Sequence, residues 1–246
     1  MKHILGFTFL FLLFSGCKDK DGLVFETKTL TAETCLDCPK VYLELPKATG
    51  TTPLAKTVNT ALREEIISLL NYDDALNPTT IEEALTAFKE GYLELKRLYP
   101  DETMGWEAKI TGKVLYEDTY VLTLLLDSYI FTGGAHGYTA TRFLNFDKKK
   151  SKELENEGLF KKEDAFTKFA ETKFREQENI PEGKSINYTG FMFEGDSFTL
   201  PENMGFTEEG FQLHYNPYEV ASYADGPITL TIPYAELTEY LIKPKS

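Results

Sequence analysis

Histidine and cysteine are scarce, three of each in 246 residues. That leaves little material for a clustered metal centre, and the chain contains no H-E-x-x-H pair and no second C-x-x-C. Basic residues are also in deficit: 26 Lys and Arg stand against 39 Asp and Glu, for a formal charge of −13. A nucleic-acid binder needs a basic stripe to displace counterions, so that class is excluded. Beyond the first 14 residues no apolar run approaches the roughly 18 residues that a membrane-spanning helix requires. The phosphate loop G-x-x-x-x-G-K-[ST] is absent, and Gly183-Lys184-Ser185 and Gly195-Asp196-Ser197 each lack the second glycine of a G-x-S-x-G nucleophile elbow. The chain is 42% hydrophobic and 26% charged, an ordinary globular composition. A chain of this length buries more than about 60% of its unfolded surface and folds without a staple.

The N-terminus reads as an export signal. Met1-Lys2-His3 is a short basic region, and Ile4 to Phe14 is apolar apart from Gly6 and Thr8, too short for a bilayer-crossing helix. It ends in Leu13-Phe14-Ser15-Gly16-Cys17, the pattern of a bacterial lipobox. Residues 1–16 are therefore expected to be a lipoprotein signal peptide, with Cys17 acylated on sulfur as the first residue of the mature chain. The rival reading is an ordinary secretory signal with an incidental cysteine. Removal of residues 1–16 takes away one Lys and moves the formal charge from −13 to −14. Residues 17–38 read as a tether, polar at Lys18-Asp19-Lys20-Asp21-Gly22. The expected location is the bacterial cell envelope, lipid-anchored and periplasmic or surface-exposed.

Cys35 and Cys38 form a single C-x-x-C. Outside the cytosol a local disulfide is the simplest reading. A redox role calls for a helix to follow, and here Pro39 and the strand-like Val41 to Leu45 follow instead. A zinc site needs two more ligands, for which only His136 and His214 remain.

Thr52-Pro53 is a helix start with Thr as N-cap and Pro at the first turn. Leu54, Val58, Ala61, Leu62, Ile66 and Leu69 then recur at helical spacing. Thr80-Ile81-Glu82-Glu83 is a capping box that opens a second helix, with Ile81, Ala84, Leu85, Phe88, Tyr92 and Leu95 on one face. From Trp106 the period changes to strands. Glu117-Asp118 is a hairpin turn, Tyr120 to Phe131 a run apolar enough for a central strand, and Tyr138 to Phe146 its return. A third helix is expected over Glu163 to Glu176, strands at Gly210 to Tyr215 and Ile228 to Ile232, and a last helix over Tyr234 to Leu241. Helical and strand runs are segregated rather than alternating. This predicts an α+β fold, an antiparallel sheet with helices packed on it, in two intimately joined halves, 39–103 and 104–246.

Two polar segments stand out as candidate ligand sites or as fold signatures. One is Gly133, Gly134, His136 and Gly137 in a Gly-rich turn; the other is Asn216, Tyr218, Glu219 and Tyr223 in Tyr215-Asn216-Pro217-Tyr218-Glu219-Val220-Ala221-Ser222-Tyr223-Ala224-Asp225-Gly226-Pro227. They are expected to meet on one surface. Phe131-Thr132-Gly133-Gly134-Ala135-His136-Gly137 resembles a Y-T-G-G-A-H-G signature, and the second segment resembles an N-P-Y-E-I-A-x-Y-A-x-G box. With Asn145-Phe146-Asp147 and Gly158-Leu159-Phe160 between them, these segments resemble the extracytoplasmic domain shared by the RsiV anti-sigma factor and the peptidoglycan deacetylase PdaC. The resemblance implies an α+β domain. In RsiV it is a lysozyme sensor; in PdaC it accompanies a separate catalytic domain. Phe131 replaces the usual Tyr, His214 lies where the family tends to have an aromatic, and the Cys35–Cys38 pair is extra. No deacetylase metal triad is found in the sequence, so neither the deacetylase activity nor a catalytic residue carries over. The expectation is a binding or sensing module for a basic protein such as lysozyme or for an envelope glycan, without cofactor or metal. The alternative is an enzyme acting on cell-wall polysaccharide.

Overall fold

The computed structural model describes residues 23–31, 38–73, 75–101 and 104–242. The expected signal peptide, Cys17 and Cys35 lie outside the described residues. Cys38 is described and is disulfide-bonded.

The first helix begins as its sequence dictates. α1 (Pro53–Leu70) is capped by Thr52, whose hydroxyl accepts from Ala55 N at 3.1 Å, and it buries Leu54, Ala55, Val58, Ala61, Leu62, Ile66 and Leu70. α2 (Ile81–Leu98) starts with the Thr80–Glu83 capping box. Only Ala84 and Phe88 of its stripe are fully buried, so α2 is the outer layer. Both helices lie in the connection between β2 (Lys40–Ala48) and β3 (Glu107–Glu117). β4 (Val121–Phe131), β5 (Tyr138–Asp147) and the two-residue β6 (Lys152–Glu153) follow as a meander. A six-stranded sheet results in sequential order, with β1 (Phe25–Thr31) at its free edge. α3 (Glu163–Gln177) covers a second, three-stranded sheet of β7 (Asn203–Phe206), β8 (Phe211–Tyr215) and β9 (Ile228–Ile232).

The α+β class holds, and four details depart from the sequence reading. First, β2 and β3 pair in parallel, although every other pair is antiparallel. A parallel pair needs a long crossover, which the two helices supply. Second, Phe25–Thr31, inside the expected tether, is an edge strand on β2. Third, the larger sheet runs across the expected division at 103/104. One core joins α1 and α2 to β2–β5, and the other gathers α3 and the small sheet. Fourth, Tyr234 to Leu241 is not a helix: one 3-10 turn spans Tyr234–Glu236. The chain then spends its backbone groups on the Leu159–Lys161 segment, through Lys161 N to Tyr240 O (2.8 Å) and Ile242 N to Leu159 O (2.9 Å). That choice buries Leu237 and Leu241 completely.

β5 and β7 make the joint between the halves. A Cβ on Gly205 would fall 2.2 Å from Phe143 Cδ1, so only glycine lets β7 approach this closely. Asn145 Nδ2 donates to Met204 O at 2.8 Å, and its Oδ1 accepts from Thr123 Oγ1 at 2.8 Å, leaving this buried amide satisfied. Tyr116 and Val121 of the large sheet extend into the second core.

Beside this joint, Glu153 packs against α1 with Glu155, Glu64 and Glu65 around it. Burial, then those like charges, push its carboxyl up to about 7. A folded-state value above the unfolded one favours folding fully below pH ~4.5 and loses that advantage as pH rises through about 7. Glu153→Gln is therefore expected to raise the urea midpoint at pH 8 and leave it nearly unchanged at pH 4.5. Equal gains at both pH values would contradict the shift.

Candidate functional site

β4 ends at Phe131, and the chain reverses through Gly133 (φ +113°) and Gly134 (φ +91°), values that L side chains rarely adopt. Gly137 serves a different purpose. It is buried, and a Cβ there would fall 2.4 Å from the ring of Tyr129, so the backbone lies flat on that ring. Between them His136 stands exposed. Its Nδ1 donates to Gly137 O at 3.0 Å, which leaves Nε2 to accept from the Tyr218 hydroxyl at 3.3 Å.

The second segment arrives from the end of β8. Asn216, buried, inserts its amide against the edge of β5: Oδ1 accepts from Thr141 N at 2.7 Å and Nδ2 donates to Thr141 O at 3.2 Å. The amide thus substitutes for a neighbouring strand and closes the edge of β5. Glu219 fixes the loop from the other side, accepting from Asn216 N at 2.8 Å and Glu202 N at 3.3 Å. Although the residue as a whole is exposed, burial of its carboxylate raises its pKa against the lowering by these two backbone bonds. The Asn203 amide takes the orientation in which Nδ2 donates to Thr141 O (3.2 Å) and Oδ1 accepts from Asn216 Nδ2 and Arg142 Nη1, each at 3.0 Å. Arg142 also pairs with Glu65 of α1 at 3.1 Å, tying the site to the first helix.

The result is a small ring platform. The His136 imidazole stacks on Tyr223 at 4.2 Å between centroids with 17° between planes, and Tyr218 lies 6.3 Å from it at 20°. The Tyr223 hydroxyl donates to Gly137 O at 3.3 Å. Tyr218 is 54% exposed and has φ +72°. A large side chain in the left-handed region, turned outward, is a strained conformation that the fold holds in place. Tyr138 is exposed beside it at the start of β5.

Of the eight candidate residues, His136 and Gly137 meet Tyr218 and Tyr223, Gly133 and Gly134 shape the turn that carries them, and Asn216 and Glu219 hold the second segment. Cys38 does not join them: it precedes β2, three strands away in the sheet order. His214, singled out by the sequence, is buried inside the small sheet with Nδ1 against Thr229 Oγ1 at 3.1 Å, and burial lowers its pKa. Thr141, Arg142, Glu202 and Asn203 were missed. They sit in plain strand and loop sequence, Thr141 75 residues from Asn216 and Arg142 61 from Asn203, and no local pattern marks them. Among the described residues no group of three or more His, Cys, Asp or Glu is arranged to hold a metal ion.

Residues 33–139 match the family model described as deacetylase PdaC, and residues 152–235 match that of a protein of unknown function, DUF3298. No curated protein sequence matches the chain. Two solved structures share the fold. A DUF3298 family member from Bacteroides fragilis NCTC 9343 is 19% identical with a TM-score of 0.66, over 90% of this chain and 94% of that one. A DUF3298 family protein from Pseudomonas aeruginosa PAO1 is 20% identical with a TM-score of 0.64, over 91% of this chain and 94% of that one. Of the platform rings, His136 lies in the segment similar to the PdaC model, and Tyr218 and Tyr223 lie in the segment similar to the DUF3298 model.

Proposed function

We propose that this protein is a lipid-anchored envelope module that binds a basic protein such as lysozyme on the His136–Tyr218–Tyr223 platform. The observation that carries the reading is Tyr218, an exposed aromatic held at φ +72° against His136. Strain of this kind costs about 1–3 kcal/mol and persists where the surroundings over-determine it, which is characteristic of functional positions. Exposed rings accept cationic side chains on their faces, and the carboxylate of Glu219 follows Tyr218 directly in the chain. A net charge of −13 over the whole chain draws in a basic partner and raises its on-rate at low salt. Envelope glycan is the second ligand class, because the same rings suit the apolar face of a sugar. Catalysis on that glycan is the alternative activity, favoured by the raised pKa of Glu219 next to the platform.

Tyr218→Gly separates a site from a fold signature. Glycine relieves the left-handed strain, so stability should rise by about 0.5–1 kcal/mol. Calorimetric titration with lysozyme, at low and high salt, should show salt-sensitive binding to the parent and at least a tenfold loss in the variant. Unchanged lysozyme affinity in a folded variant would remove the platform from the reading. Binding of peptidoglycan fragments instead would shift it to glycan, and turnover of those fragments would shift it to the enzyme.

A further inference from the structure

The two ends of the six-stranded sheet are chemically unlike. At one end lie the start of β2 at Lys40, the start of β3 at Glu107, the end of β4 at Phe131 and the platform beyond it. At the other end the described chain enters: Val24 O accepts from Thr49 N at 2.8 Å, and Phe25 pairs with Ala48. From Lys40 to Ala48 β2 rises about 26 Å at ~3.3 Å per residue, so chain entry and platform are at least that far apart along the strands.

The entry end also carries the lysine turn. Val121 pairs with Asp147 and Asp147 with Lys152, which places Lys148-Lys149-Lys150-Ser151-Lys152 at the level of the β3–β4 hairpin. Thr57 Oγ1 donates to Ser151 O at 2.9 Å and brings the first turns of α1, with exposed Lys56, to the same place. Four acidic groups here are engaged within the fold, while Glu64 and Glu155 near Glu153 stay exposed. Asp147 accepts from Lys149 N and Lys150 N, each at 2.9 Å; Asp118 accepts from Tyr120 N and Val121 N, each at 2.7 Å; Glu117 holds Lys148 at 2.6 Å; and Glu26 holds Lys47 at 3.2 Å. Burial and its like-charged neighbours keep Glu153 closer to neutrality than an ordinary carboxyl. The side chains of Lys56, Lys149, Lys150 and Lys152 remain exposed to solvent. An otherwise acidic protein thus presents four exposed lysines together around the point where the chain enters.

We infer that this lysine-bearing end is a docking surface for anionic lipid headgroups and that it holds the platform outward, away from the bilayer. The inference rests on the lipid anchor at Cys17 proposed above. Cys17 lies six steps along the chain before Leu23, a span of at most about 21 Å. An inverted pose, platform on the membrane, requires more than that reach. Upright, the lysines meet the headgroups, and each adds about fivefold to the docked population. The ligand of the platform therefore arrives from the wall or the medium.

The single tryptophan, Trp106, is a native reporter at the outward end, next to Lys40 through Lys40 N to Trp106 O at 2.9 Å. Tyr120→Trp in a Trp106→Phe background reports from the entry end. Each full-length lipidated protein is reconstituted in vesicles with and without phosphatidylglycerol, and energy transfer to dansyl-headgroup lipid is measured after flotation. Strong transfer from position 120 and weak transfer from Trp106 in anionic vesicles, with the contrast reduced by Lys149→Glu/Lys150→Glu/Lys152→Glu or in neutral vesicles, is the expected result. Equal transfer from both positions, or a contrast indifferent to the lysines and to lipid charge, would overturn the docking surface while leaving the anchor intact. Failure to float with either vesicle, together with an unacylated Cys17 by mass spectrometry, would overturn the anchor and the docked orientation with it.

Discussion

Phe174→Ala is expected to cost about 3–5 kcal/mol of stability, the range for removing a fully buried aromatic. Phe174 is 0% exposed and is the hub of the second core. Its ring meets Phe191 at 5.0 Å, Phe193 at 5.4 Å, Phe198 at 5.5 Å and Tyr215 at 5.9 Å, three of the four edge-on. Edge-on pairs add to plain burial because ring edges are positive and faces negative. The neighbours come from two stretches outside α3, the 191–198 loop and β8, so collapse around the lost ring cannot be local. The Tyr215 hydroxyl, which donates to Thr199 O at 2.6 Å, would loosen with it. Urea denaturation followed by circular dichroism should show a midpoint shifted by this amount. A loss under about 1 kcal/mol would mean that the aromatic cluster repacks freely and that the small sheet does not depend on it.

The contrast between this core and the larger one explains how much of the fold was legible in the sequence. α1 was readable because three signals agree over Thr52–Leu70: a capping Thr, Pro at the first helical position, and a stripe at 3.6-residue spacing. β4 was readable because a strand between two others, covered on both faces for most of its length, becomes a continuous apolar run. β7 was not. Asn203, Met204, Gly205 and Phe206 are all buried, so no alternation survives, and the run is only four residues long. β1 was hidden for the opposite reason: an edge strand with exposed Glu26, Thr27 and Thr29 has the composition of a tether. The parallel pairing of β2 and β3 is a property of the crossover and leaves no mark on either strand.

The candidate site divides along the same line. The Gly-rich turn and the Asn-Pro-Tyr-Glu segment were visible because their backbones are unusual, and unusual backbones need particular residues. Their mutual contact, at sequence separations of 82 and 86 residues, was expected because both are polar, tight-backbone segments adjoining otherwise ordinary strands, not from any spacing. Arg142 and Asn203 stayed invisible because what they do depends on packing between sheets. An arginine within a strand carries no sign that its partners are Glu65 and Asn203.

Asn216→Ala should lower stability by about 2–3 kcal/mol and abolish lysozyme binding as well. Two bonds to the β5 edge are lost, from Thr141 N and to Thr141 O; Thr141 N is left without its acceptor, while Thr141 O keeps Asn203 Nδ2. An unmade bond at such a position costs about 1–3 kcal/mol, more than a bond exchanged with water contributes. Asn203 loses an amide partner at the same time, so the damage reaches Arg142 and the joint between the sheets. The Pro217–Tyr218 turn would no longer be clamped, and with it goes the force that holds Tyr218 at positive φ. Asn216→Ala and Tyr218→Gly should therefore move stability in opposite directions while both remove binding. That pairing is the signature of a strained platform held by an amide clamp. If Asn216→Ala unfolds at the parent's urea midpoint, the clamp is not closing the β5 edge. If it loses stability yet binds lysozyme with parental affinity in the folded state, the clamp serves the fold alone and Tyr218 does not depend on it.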